Sequence, residues 1–187
     1  MSIQIRPAQP TDADKAVPLI IDAIGHIANR LTGANEEIVV TERLTELFIR
    51  TDNRHSYLNT YIAEINGNAA GIIVLYPGED APVLDRNLTN WLMEKGVAAP
   101  EIDAESLLGE LYIDTVCIDP TFRGQGIGTQ LFNFVEELAK QQGYTRLALN
   151  VETQKEPALR LYKRLGYEIV SPWTIIGEPF YHMVKMI

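Results

Sequence analysis

The stretch that decides the fold is "VCIDPTFRGQGIGTQLFNFVEELAK", Val116 to Lys140. An apolar, strand-like run from Val116 to Ile118 stops at Asp119-Pro120. Arg123 follows, then glycines at alternate positions, Gly124, Gly126 and Gly128, and an apolar stripe at helical spacing begins directly after them. Glycine reaches dihedrals closed to other residues and lets backbone amides approach a ligand. A helix start presents unpaired N–H groups and a partial positive charge of about +0.5. A strand, a glycine loop and a helix in this order therefore make an anion site, suited to a phosphate or pyrophosphate. Arg123 adds a full charge beside it.

Two familiar phosphate loops do not fit. A P-loop needs Lys and then Ser or Thr after its last glycine, whereas Gly128 is followed by Thr129 and Gln130. A dinucleotide fingerprint needs a third glycine three residues after the second. That position holds Thr129 or Leu131, depending on which pair is counted first.

Outward from this loop, "IQIRPA" (Ile3 to Ala8) alternates like a first strand, and "TDADKAVPLIIDAIGHIANR" (11–30) carries Val17, Ile20, Ile21, Ile24 and Ile27 at helical spacing. Pro18 must lie early in that helix or kink it. "TERLTELFIRT" (41–51) reads as a second helix. Tyr61–Ile65 and Gly71–Tyr76 form a hairpin about Asn66-Gly67. "LYIDTVCID" (111–119) is a fourth, buried strand, the glycine loop and its helix run from Gly124 to Lys140, and "RLALNVE" (146–152) is a fifth strand. "PALRLYKRLGY" (157–167) is a short helix ended by Gly166, and "YEIVSPW" and "YHMVKMI" are closing strands. This order implies a mixed sheet flanked by helices, an α+β domain spanning 1–187. The long connection from Gly78 to Gly109 holds a helical piece with Leu84, Leu88, Trp91 and Leu92 on one side. A connection of that length is usually functional or disordered.

The 187 residues suffice for one domain with a real core, and 46% are hydrophobic, as in ordinary globular chains. No apolar run reaches the ~20 residues of a membrane helix, and the N-terminus does not read as a signal peptide. Cys117 is the single cysteine, which excludes an internal disulfide and a cysteine zinc cluster. His26, His55 and His182 show no metal-ligand spacing, so no metal is expected. These features point to a cytoplasmic protein. The net charge of −9 disfavours nucleic acid and anionic membrane and mildly favours an amine as substrate.

"VCIDPTFRGQGIGTQLF" resembles the acetyl-CoA signature of the GNAT superfamily of N-acetyltransferases, with Arg123, Gly126 and Gly128 as its core. "LNVETQKEPALRLYKRLGYE" (149–168) resembles that family's second signature, and "IQIRPAQPTDAD" its usual opening. The resemblance covers nearly the whole chain in order. It implies the GNAT fold with splayed central strands and acetyl-CoA as co-substrate. Backbone groups of Val116, Cys117 and Ile118 would pair with the pantetheine arm. The amides of Gly124, Gln125, Gly126, Ile127, Gly128 and Thr129 would hold the pyrophosphate next to Arg123. Lys155 stands where the family often carries Asn; a lysine there could meet a phosphate instead.

Acetyl transfer to nitrogen requires a neutral amine, and deprotonating a lysine-like amine at pH 7 costs about 4.6 kcal/mol. Asp114 and Glu110 are the candidate bases, four residues apart and so on one side of an extended strand. Either can instead be structural, Asp114 bonding a loop and Glu110 solvated. An unpaired amide near Val116–Ile118 could stabilise the oxyanion. Tyr162 matches the family tyrosine that protonates the leaving thiolate, although its place on an apolar helix face also suits a core aromatic. Cys117 reads as a small buried hydrophobe more than a nucleophile. His182 is a further candidate for the acceptor site, and the 78–109 connection, with Trp91 as a wall, for its shape. The acceptor is open between polyamine, aminoglycoside-like compound, lysine, and the N-terminus of an amino acid or peptide. A non-catalytic acyl-CoA-binding module on the same fold is the alternative function, and a homodimer would follow the family's habit.

Overall fold

A computed structural model describes residues 3–187. The strands are β1 (Gln4–Pro7), β2 (Thr60–Ile65), β3 (Asn68–Pro77), β4 (Leu111–Ile118), β5 (Arg146–Glu152), β6 (Glu168–Ile175) and β7 (Glu178–Met186). They form one sheet in the order β1-β2-β3-β4-β5-β7-β6. The helices are α1 (Ala13–Ile24), α2 (Ile27–Thr32), α3 (Glu37–Ile49), α4 (Ala81–Glu94), α5 (Ile127–Gln141) and α6 (Glu156–Arg164). This is the mixed, helix-flanked α+β architecture anticipated from the sequence.

The sheet has two covered faces. On one, α1, α3 and α4 bury Val17, Ile20, Leu44, Leu47, Phe48, Leu88 and Trp91 against Ile62, Ile72 and Val74. On the other, Leu131, Phe132, Val135 and Ala139 of α5 pack on Ile73, Leu111, Ile113, Leu147 and Leu149. The apolar stripe behind the glycine loop is thus the seam that fixes α5 on the sheet. Asn66 and Gly67 both take positive φ, 51° and 80°, as a two-residue hairpin turn between β2 and β3 requires.

Two sequence expectations need correction. The helix read across 11–30 is two helices. Gly25, at φ 53° and ψ −127°, closes α1 by donating its N–H to Ile21 O, and the chain restarts as α2. Pro18 lies inside α1 at an exposed position, so the Asp14 carbonyl it leaves without a helical partner lies on the solvent side. Trp91 does not wall a substrate cavity. It is buried in the α1–α3–α4 core, with its indole N–H on Glu46 Oε1 at 2.7 Å and Lys95 over its ring.

The centre of the sheet positions the site. β4 and β5 pair in parallel only through Leu111–Ile113 and Leu147–Leu149. Beyond them the strands part, leaving the β5-facing edge of β4 without a strand neighbour among the described residues from Asp114 to Ile118. On the other edge, the register with β3 slips at Asp114, since Val74 faces Thr115 while Leu75 faces Ile113. The extra residue is a β-bulge, which re-aims side chains. Leu111 and Ile113 sit on the α5 face, and after the bulge Val116 and Ile118 do so, one step out of phase. Cys117 joins the opposite core.

Candidate active site

Where β4 and β5 part, they enclose a cavity of about 120 Å³. Its walls are Asp114, Thr115 and Val116 of β4, Asn150, Val151 and Glu152 of β5, and Ala158 and Tyr162 of α6. Ile24, Ile27 and Leu31 close one side, Arg54, His55, Glu105 and Tyr112 the inner end, and Lys155 stands with Glu152 on the wall.

The glycine loop lies at the start of α5. Gly124 and Gly126 have φ of 77° and 78°, and a Cβ at either would meet nothing within 4 Å. These positions are glycine because of backbone conformation, not crowding. No backbone amide from Gly124 to Thr129 donates to an acceptor among the described residues; the first that does is Gln130, to Gly126 O at 3.1 Å. Six consecutive donors are thus free at a helix N-terminus. Arg123 turns away from them. Its Nε donates to Ile118 O at 3.0 Å and its guanidinium pairs with Asp22 of α1 at 3.1 Å. The Lys155 ammonium pairs with Glu152 at 2.7 Å.

The inner end is a buried polar cluster that the sequence reading did not assemble. Arg54, 1% exposed, donates to Asp85 Oδ1 at 2.6 and 3.0 Å and to Glu105 Oε1 at 2.5 Å, with Asp114 Oδ2 at 3.8 Å. Tyr76 OH donates to Asp114 Oδ2 at 2.9 Å and Thr115 Oγ1 to Asp114 Oδ1 at 2.8 Å. Tyr112 OH donates to Glu105 Oε2 at 2.9 Å. Burial pushes the Asp85 and Glu105 carboxyls above the usual range despite Arg54, and the Asp114 charge adds to it. Burial also raises Tyr76 and Tyr112 well above an ordinary phenol, which keeps both hydroxyls as donors. Three carboxylates against one guanidinium leave this end with excess negative charge.

Glu110 and Asp114 do not share the cavity. Glu110 is wholly buried just before β4, facing His182 Nε2 at 3.2 Å and taking hydrogen bonds from Leu107 N at 2.9 Å and Arg146 at 3.2 Å. Burial pushes its carboxyl up, but hydrogen bonds from His182 and Leu107 and the nearby positive charges outweigh that and hold it low. His182 Nδ1 meets Asn150 Oδ1 at 2.7 Å, and Asn150 in turn donates to Tyr112 OH at 3.1 Å. His182 thus reaches the cavity through Asn150, and Trp173 stacks on its ring.

Tyr162 projects from α6 into the cavity, edge-on to Phe132 and Tyr167. Its hydroxyl has no hydrogen-bond partner among the described residues, and burial pushes its pKa up to about 12. The Cys117 side chain lies in the α1 core, its thiol on Asp22 at 3.4 Å, and burial with that carboxylate raises it to about 11. A thiol so protonated is not a nucleophile at neutral pH. No group of three or more His, Cys, Asp or Glu suited to a metal occurs among the described residues. No helix among them is long and apolar enough to cross a membrane.

The model of the acetyltransferase (GNAT) family matches residues 24–167 of the chain, from the end of α1 through α6. The chain belongs to the GNAT acetyltransferase family. A solved acetyltransferase superposes with a TM-score of 0.79 at 32% identity, covering 98% of this chain and 99% of that one. An uncharacterised N-acetyltransferase of Methanocaldococcus jannaschii is 42% identical over 64 residues, which are 33% of this chain and only 28% of that protein. An N-acetyltransferase of Thermoplasma acidophilum, solved in complex with coenzyme A, shares the fold with a TM-score of 0.62 over 100% of both chains at 16% identity. The GNAT family uses acetyl-CoA.

Arg54 and Glu105 escaped the sequence reading, and His55 was weighed there only as a metal ligand. "TDNRHSY", a charged and histidine-bearing loop between a predicted helix and a predicted strand, was the available signal for Arg54 and His55. Glu105 lay inside the 78–109 connection, whose length marked it without selecting a residue.

Proposed function

We propose that this protein transfers the acetyl group of acetyl-CoA to a primary amine of a small molecule or protein. One observation carries the reading. Six amides at the head of α5 are unpartnered among the described residues, and the open edge of β4 borders a cavity whose inner end carries Asp114 and Glu105. An anionic, extended co-substrate matches the first two features, and a cationic acceptor matches the third.

Acetyl-CoA, when bound, supplies an activated thioester. Gly124 to Thr129 hold its diphosphate, with Lys155 as a mobile counter-charge once released from Glu152. Backbone groups of Val116, Cys117 and Ile118 accept the pantetheine arm as an added strand, and an open amide of this edge faces the developing oxyanion. Asp114 receives the acceptor's ammonium at the inner end. Glu110 serves by fixing His182, and through it Asn150, behind the cavity. Tyr162, which keeps its proton throughout the physiological range, donates it toward the leaving sulfur. A cytoplasmic setting agrees with the single, unpaired cysteine.

Thiol release from acetyl-CoA, measured across a panel of primary amines with the product identified by mass, tests the reading. Acetylated amine is expected. Coenzyme A binding without transfer to any amine would leave a cofactor-binding module in its place.

A further inference from the structure

His55 is 1% exposed, lines the inner end of the cavity, and has neither ring nitrogen hydrogen-bonded among the described residues. An unpartnered buried polar group is rare and calls for a role. The loop pins it in place: Asn53 Oδ1 accepts the His55 amide at 3.0 Å, while Asn53 Nδ2 donates to Leu47 O at 2.8 Å. Two carboxylates at this end of the cavity take hydrogen bonds from the fold. Asp114 already takes Tyr76 and Thr115, and Glu105 takes Arg54 and Tyr112. Each Asp114 oxygen takes one of these bonds and keeps a further lone pair, while the His55 ring has no hydrogen bond at all among the described residues.

The spacing matches a nitrogen. His55 Nδ1 lies 4.0 Å from Asp114 Oδ1. Two hydrogen bonds of about 2.9 Å from one donor atom span that gap at an angle near 90°, within reach of a tetrahedral ammonium. The charged and titratable groups around the ring are Asp114 on β4 and Arg54 beside it in the chain. Beyond Arg54 lie Asp85, Glu105 and the hydroxyls of Tyr76 and Tyr112. Burial, ahead of the opposing Asp114 charge, keeps the imidazole neutral at pH 7, so its lone pair is available.

We propose that His55 and Asp114 together seat the nitrogen of the acceptor amine and that His55 takes the proton that frees its lone pair. This rests on the acetyl-transfer reading above. The ammonium gives one proton to His55, and the C–N bond forms from the freed pair. The C–S bond breaks with its electrons on sulfur, the nitrogen's second proton reaches that sulfur by way of Tyr162, and the imidazolium returns its proton to solvent.

The test compares the full chain with His55→Gln, and with His55→Asn should the first fold poorly. Thiol release from acetyl-CoA is followed from pH 6.5 to 9.5 with n-butylamine, 1,4-diaminobutane, lysine and an alanyl peptide. Coenzyme A should raise the melting temperature of wild type and variant alike. At pH 7 the variant should lose about 10²–10⁴ in kcat. Below the amine's own pKa its deficit should shrink about tenfold per pH unit, because the amine then arrives neutral, levelling off at about pH 8 for the alanyl peptide, while wild type stays flat. Equal kcat and a wild-type profile would overturn the role of His55 and leave acetyl transfer standing. A wild type that binds coenzyme A yet acetylates none of these amines would overturn both. If both variants unfold, the ring ¹⁵N resonances of His55 in wild type decide. They should move when 1,4-diaminobutane is added with coenzyme A, and stationary resonances would refute the seat.

Discussion

Arg54→Met removes the single positive charge facing Asp85, Glu105 and Asp114 while keeping most of the side-chain volume. Removing one partner of a buried ion pair costs about 3–5 kcal/mol, because the other is left uncompensated. For a chain of this length each kcal/mol moves the melting temperature by about 2–4 °C, so a fall of about 6–20 °C is expected at pH 8. The penalty must depend on pH in one direction. Asp85 and Glu105 already sit above the usual range in the folded state, with Arg54 opposing the rise. Without Arg54 they rise further, and the folded state then holds protons that the unfolded chain, titrating near pH 4, has released. Stability of the variant therefore falls as pH rises through that window and recovers as pH drops toward 5. Thermal melts of both proteins at pH 5, 6.5 and 8, with Arg160→Met as control, measure this. The exposed Arg160–Glu156 pair should cost no more than about 0.5 kcal/mol. A variant within ~1 kcal/mol of wild type at pH 8, or a penalty larger at pH 5 than at pH 8, refutes the charge balance assigned to the inner cavity.

Tyr162→Phe should lower kcat by about 10²–10⁴ and leave coenzyme A affinity and melting temperature almost unchanged, since the hydroxyl bonds nothing among the described residues; an unaltered rate removes Tyr162 from the mechanism. Gly78→Ala places a Cβ 1.9 Å from the Leu107 carbonyl oxygen and must push the segment carrying Glu105. A loss of about 1–3 kcal/mol in denaturant melts is expected, and a neutral effect would contradict the packing. Cys117, held near pKa 11, should react with iodoacetamide at pH 8 roughly 10²-fold or more slowly in the folded chain than in urea; comparable rates would mean the thiol is not buried.

Much of this was legible in the sequence because local rules govern it. Gly124 and Gly126 stand where φ is positive, and the alternation and helical stripes on either side are read from spacing alone. The splay of β4 from β5 came from resemblance, since no residue in either strand announces where pairing stops. The inner end of the cavity was illegible for a different reason. Arg54 comes from the loop after α3, Asp85 from α4, Glu105 from the connection before β4, and they meet only through tertiary packing. The bulge at Asp114 carries no glycine or proline to mark it, yet it sets which side chains of β4 face α5. Glu110 and Asp114, equivalent by spacing, are divided by their neighbours: His182 and Arg146 seal the first, while the second borders the cavity. Trp91 misled because helical spacing gives the apolar face of α4 without saying what covers it.

The amides at the head of α5 are the feature on which the whole reading stands, and coenzyme A added to uniformly ¹⁵N-labelled protein probes them directly. The amide resonances of Gly124 to Thr129 should shift most, with a second group from Thr115 to Ile118 along the open edge of β4. Tight binding that leaves both groups unmoved, or no binding at millimolar coenzyme A, would contradict the account.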